Sequence, residues 1–177
     1  NNIGMVGNNF INNWGDANYG LLLKDISFSK IKHNRFHNNT TAIYLDGATK
    51  IDLFSNDFEN NGWGMKISSN CMENKVIHNN FINNVFDVGT SGTMNMNDFR
   101  KNYWDKYEGY DLDKNKIGDV TFHPLSLYAV LVESNPSVML LFRTFFVDLL
   151  DKTEKIIPSL TPENFIDQEP LMKKITI

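Results

Sequence analysis

Apolar residues along this chain recur in short runs separated by polar corners. The pairs Leu21/Leu23, Ile43/Leu45 and Met65/Ile67 each skip one residue, the period of a strand with one buried face. Between the pairs stand single apolar residues tied to an asparagine. Phe10, Phe36, Phe58, Phe81 and Trp104 each follow an Asn by two positions, and Ile31, Leu53, Val76 and Phe99 each precede one by three. Those asparagines are Asn8, Asn34, Asn56, Asn79 and Asn102, separated by 26, 22, 23 and 23 residues. They belong to a recurring phrase: GNNFINN (7–13), HNRFHNN (33–39), SNDFENN (55–61), HNNFINN (78–84) and a shortened KNYW (101–104). A fixed period of this length signals a solenoid. Three short strands and three bends per repeat describe one coil of a parallel β-helix of about 22–23 residues per coil. Stacked coils bury like residues on like residues, at about the 4.8 Å spacing of neighbouring strands. Asn suits the bends because it tolerates the left-handed backbone and its amide reaches local or neighbouring main chain. At one position in successive coils it would form a ladder of side-chain amides. A leucine-rich horseshoe fits less well, since its Leu consensus is missing and no helical period interrupts the strands.

Four residues before each marker Asn come Lys30, Asp52, Lys75 and Asp98. Alternating charges up the stack favour the register of neighbouring coils. The position after the marker reads Asn9, Arg35, Asp57, Asn80 and Tyr103, so no two coils present paired carboxylates there.

The repeat fails after Trp104. NYWDKYEGYDLDKNKIGDVTFHP (102–124) reads as an aromatic and acidic cap over the open end of the stack, where strand edges would otherwise be exposed. PLSLYAVLVES and PSVMLLFRTFFVDLLDKTEK follow as two helices, with Pro136 at a first helical position and Ser134 or Asn135 as its cap. The second is apolar on most sides from Val138 to Leu150, too short for the roughly 20 residues that span a bilayer. Such a helix must be buried, either on the cap or against another protein through Leu141, Phe142, Phe145 and Phe146. Residues 156–177 hold three of the five prolines and read as an extended wrap. Three regions result: coils at 1–104, a cap loop at 105–124, and helices with a tail at 125–177.

The 177 residues are enough for one ordinary domain with a real core. Apolar content of 41% and charged content of 21% are those of a soluble globular protein. The net charge of −4, with no basic stripe, points away from nucleic acid. One cysteine, Cys71, excludes an internal disulfide and a cysteine-based zinc site. The chain starts at Asn1 without Met and shows no signal peptide, so a processed protein or a piece of a longer one is expected.

The N-x-F coils, followed by NYWDKYEGYDLDKNKIGD, the pair HPLSLYAVLVESNPSVMLLFR and a late EPLM, resemble the NosD family. These are periplasmic copper-related accessory proteins of nitrous-oxide reductase maturation. The resemblance covers the whole chain, as the C-terminal part of a longer β-helix. It implies a right-handed β-helix, a periplasmic location, docking of the C-terminal helices on an ABC-type permease, and copper delivery toward the reductase or from a copper chaperone. A membrane contact would then come only through a protein partner.

Two stretches carry candidate chemistry. Asp111, Asp113, Asn115 and Asp119 fall at positions 1, 3, 5 and 9 of an EF-like calcium loop, with the Ile117 carbonyl at position 7. Lys116 occupies the usual Gly position and Phe122 stands where a bidentate Glu belongs. The competing reading is an Asx-rich turn that braces the cap. The second stretch is soft. Met94 and Met96 share a strand face, Met72 lies at a matching place one coil earlier, and Cys71 adjoins it. Thioethers and a thiol suit Cu(I); the competing reading is methionine filler in the core. His33 and His78 share a repeat position with Ser55 between them, about two coil spacings apart, too far for one metal. His37 is on an outward corner by itself, and His123 follows the acidic loop and could join a site there; the competing reading for a His beside Pro124 is a structural or surface residue.

The expected fold is therefore an all-β, right-handed parallel β-helix with C-terminal helices. The expected function is copper binding and hand-off coupled to a transporter, without catalysis. The alternatives are a carbohydrate-binding or polysaccharide-processing β-helix and a structural surface β-helix. A lyase or hydrolase needs convergent acids on one outer face, whereas the charge row here alternates. A surface β-helix leaves the apolar helix without a purpose.

Overall fold

A computed structural model of the chain describes residues 2–92, 96–141, 150 and 165–177. Among the described residues, fourteen short strands coil into three parallel sheets. The first sheet stacks β1 (Gly4–Val6), β4 (Lys30–Lys32), β7 (Asp52–Phe54), β10 (Met72–Ile77) and β13 (Met96–Arg100). The second stacks β2 (Asn9–Ile11), β5 (Arg35–His37), β8 (Asp57–Glu59), β11 (Asn80–Ile82) and β14 (Tyr103–Trp104). The third stacks β3 (Tyr19–Lys24), β6 (Thr41–Asp46), β9 (Trp63–Ile67) and β12 (Phe86–Thr90). This is the expected parallel β-helix.

Like stacks on like. Ile31, Leu53, Val76 and Phe99 pair in register and are buried. Phe10, Phe36, Phe58, Phe81 and Trp104 form a continuous ring stack, with centroids 4.7, 5.0, 4.8 and 4.2 Å apart, inside the range where offset aromatic pairs attract. Leu21, Ile43, Met65 and Val88 line the third inner wall.

The repeated phrase encodes two similar bends. The residue before each marker Asn is left-handed: Gly7, His33, Ser55, His78 and Lys101. The marker Asn follows and turns inward. Its amide carbonyl accepts both the backbone N–H and the side-chain NH₂ of the Asn one coil earlier. The contacts run Asn8 to Asn34, Asn34 to Asn56, Asn56 to Asn79 and Asn79 to Asn102, all at 2.9–3.1 Å. After the Phe strand the device recurs. Asn12, Asn38, Asn60 and Asn83 are left-handed, and Asn13, Asn39, Asn61 and Asn84 form a second ladder.

Tyr107 and Phe122 close the end, with Phe122 over Trp104 at 5.3 Å. The helix α1 (Leu127–Ser134) begins at Ser126, whose hydroxyl accepts the Ala129 N–H. It lies on the outer face of the third sheet, not over the end of the stack: Tyr128 packs on Phe86 at 5.5 Å and Glu133 pairs with Lys66 at 2.6 Å. Pro136–Leu141 forms a 3₁₀ helix instead of an α-helical start, and Asn135 accepts the Ser137 N–H as its cap. Phe142, Phe145 and Phe146 lie outside the described residues. The tail from Phe165 returns across the end of the stack, with Phe165 and Asp167 buried.

Candidate metal-binding face

The outer side of the first sheet carries two residues of the soft stretch. Met72 and Met96 are register partners on β10 and β13. They lie seven and six residues before their ladder asparagines. The extra residue is taken up by a bulge at Glu73, left-handed at φ 57°, so the two methionines stand side by side on adjacent coils. Both are exposed, at 38% and 54%, so neither is core filler. Met94 lies outside the described residues.

Cys71 turns the other way. Its side chain is buried, with Sγ donating to the Leu45 carbonyl at 3.3 Å and accepting the Ala48 N–H at 3.4 Å. Neighbouring strand residues point to opposite faces, so a thiol at 71 and a thioether at 72 are parted by the sheet. Burial pushes the Cys71 thiol above its ordinary range, away from the thiolate a metal needs.

Met96 also lines an open groove of about 890 Å³ along the same face. Lys30, Asp52, Lys75 and Asp98 form its floor, in register as the alternating row predicts. Phe28, Lys50 and Glu73 rise along its rim, each left-handed at the third bend. Lys50 pairs with Glu73 at 3.7 Å and lies over the Phe28 ring. Positive and negative side chains balance along the groove, so no one region gathers acids.

The EF-like loop closes on itself. Asp111 accepts the N–H groups of Asn115 and Lys116, Asp113 accepts from Asn115, and Asp119 accepts the Leu112 N–H. Lys116 adopts φ 73° where an EF loop places Gly. These are the contacts of an Asx-rich turn. Among the described residues no three His, Cys, Asp or Glu side chains converge as a metal site, and the calcium reading draws no support from this geometry.

The histidines stay apart. His33 and His78 flank the Phe54 ring, at 6.5 and 5.3 Å. His37 lies 3.5 Å from Glu59, whose carboxyl is held below its ordinary range chiefly by a hydrogen bond from Arg35. Of the residues singled out for partner contact, Leu141 is 40% exposed beside Leu140 at 87%.

Two elements were not legible in the sequence. The second ladder hides in the last Asn of each phrase, in plain sight once the first is followed. Asp167 carries no repeat signal: Phe165 precedes it by two residues, not the three that separate Phe99 from Asn102.

The family model of the periplasmic copper-binding protein NosD matches residues 1–111. The chain belongs to the NosD family. Two curated relatives, each named a probable ABC transporter binding protein NosD, come from Pseudomonas aeruginosa and Stutzerimonas stutzeri. They are 27% identical over 175 residues and 25% identical over 176, in each case across 89% of this chain. The chain spans 41% and 40% of their lengths. The family is described as periplasmic, and among the described residues no helix is long and apolar enough to cross a membrane.

Proposed function

We propose that this β-helix is part of a periplasmic accessory protein that holds Cu(I) for hand-off during maturation of nitrous-oxide reductase, in association with an ABC-type transporter. The observation that carries the copper reading is the register pair Met72 and Met96, two exposed thioethers on adjacent coils. Thioethers select Cu(I) over harder ions. Their exposure suits a cargo that must be passed on, because an accepting ligand can reach the ion before the donors release it. The family description and the relatives' names support the periplasmic and transporter parts.

The role proposed is carriage, not catalysis. The alternating Lys30, Asp52, Lys75 and Asp98 row offers a hydrolase or lyase no pair of acids. The proposed transporter contact runs through the apolar segment that begins at Met139, Leu140 and Leu141.

A Cu(I) titration under reducing conditions, with a competing chromophoric ligand, tests the site. Met72→Leu with Met96→Leu should weaken binding by at least about ten-fold, roughly 1.4 kcal/mol. Equal affinity in the double variant would remove these residues from the proposal.

A further inference from the structure

The outer face of the second sheet already holds an extended segment. Arg35, Asp57 and Asn80 are register partners that point outward from β5, β8 and β11. Arg35 is exposed and Asp57 half-buried, yet Asn80 is fully buried. The tail lies across it. Asn80 Nδ2 donates to the Ile175 carbonyl, and Asn80 Oδ1 accepts the Ile175 N–H, both at 2.9 Å. Nδ2 also donates to Asp57 Oδ1 at 2.7 Å. An ionised carboxylate accepts only, so Asp57 fixes which way the Asn80 amide faces. The fixed amide offers one donor and one acceptor to an extended backbone, as the edge of a sheet does for an added strand.

The tail is held firmly at one place and lightly at the next. Asp167 is fully buried and accepts five N–H groups: Lys101 and Glu169 on Oδ1, and Asn102 backbone, Asn102 side chain and Trp104 Nε1 on Oδ2, at 3.0–3.1 Å. Phe165 beside it packs on Phe99. Past Pro170 the hold thins. Leu171 and Met172 donate to the carbonyls of Asn102 and Lys116, and the Asn80 pair comes next. Lys173, Lys174, Thr176 and Ile177 are exposed. A segment with few buried contacts opens at low free energy, so residues 173–177 can leave Asn80 while Asp167 keeps its donors. Opening strands a buried amide, which favours a substitute backbone in the same place. Charge narrows the substitute. Glu59, paired with Arg35 at 3.0 Å and 3.5 Å from His37, also attracts Lys174, the residue before the clamped one.

We propose that the face formed by Asp57, Glu59 and Asn80 binds an extended segment of a partner protein, with Lys or Arg one residue before the clamped position, and that residues 173–177 occupy this site in cis as a latch. A tethered occupant acts at a roughly millimolar effective concentration, so the latch keeps weak segments out and yields to a better one.

The test uses the full chain with Ile175→Pro, which removes the N–H that Asn80 accepts, and a labelled peptide of residues 171–177 as the probe. Limited trypsin cleavage after Lys173 reads the latch, and fluorescence anisotropy reads the site. Cleavage should be faster than in the parent, and the variant should bind the peptide at least about ten-fold more tightly than the parent does, because the cis competitor is weakened. The same peptide carrying Ile175→Pro or Lys174→Glu should bind at least about ten-fold more weakly. Cleavage as slow as in the parent would overturn the latch. Fast cleavage without peptide binding would overturn the site. Equal binding of the Ile175→Pro peptide would remove Asn80 as the clamp, and this arm reads that bond without any change to the β-helix. Parent chain that binds the variant more tightly than the peptide does, seen by sedimentation velocity, would make the occupant a second copy and overturn the partner.

Discussion

Each inner ladder asparagine satisfies a carbonyl and an N–H of the coil before it. Asn79 accepts from the backbone and side chain of Asn56 and donates to the carbonyls of Leu53 and Ile77 and to Asn102. Asn79→Ala strands several fully buried polar groups, each costing about 1–3 kcal/mol. The expected loss is at least about 3 kcal/mol, read as a lower urea midpoint with an unchanged slope. A second buried residue makes stability depend on pH. Asp87 stands in the row of Gly20, Ala42 and Gly64, at the last coil. There burial pushes its carboxyl above the ordinary 3.8, with Lys106 at 3.2 Å opposing the shift. An acid whose folded pKa lies above its unfolded value favours folding below the unfolded value and loses that contribution as pH rises through the folded one. Asp87→Asn should therefore gain Tm relative to the parent as pH rises from about 4 to about 7. A gap in Tm that is constant over this range would refute the assignment.

At the scale of elements, the third sheet carries its helix through one close approach. Trp63 lies flat along the outer face, stacked on Phe86 at 4.3 Å, with Lys66 over its ring. A Cβ on Gly89 would meet the Trp63 ring at 2.5 Å. Gly89→Ala must displace the indole and, through Phe86, the Tyr128 contact of α1. A cost of about 1–3 kcal/mol is expected for such overpacking, seen as a lower Tm and a shifted tryptophan emission. An unchanged emission would mean that the indole does not depend on this gap. The bulge at Glu73 shows the same economy on the first sheet, absorbing one residue of a longer coil so that the next pair, Lys75 and Asp98, stays in register.

For the whole molecule, protection follows cover. Asn56, Asn79 and Asn102 are fully buried between coils and under the tail, whereas Leu112 to Lys116 lie in an exposed turn. A solenoid coil is held by its neighbours on both sides, so an inner coil opens least readily. Amide exchange should be slowest in β7 to β12 and fastest in the turn at 112–116, as local opening energies follow contact. Exchange in these strands as fast as in the turn would refute that ranking.

The repeat by itself determined the coil, its three strands, the stacked rings, the bend asparagines and the alternating charge row. Each of these depends on residues one period apart, and a period is visible in one dimension. It also placed Met72 and Met96 on neighbouring coils. Only the tertiary structure decided that Cys71 faces inward while both methionines face out, because one αL residue at Glu73 shifts a register that spacing alone leaves open. Only the tertiary structure laid α1 on the flank of the third sheet and brought Asp167 to Asn102, across 65 residues. Contacts of that kind follow no period: they depend on where a finished surface leaves donors unmet, and such a surface exists only after the coils have stacked.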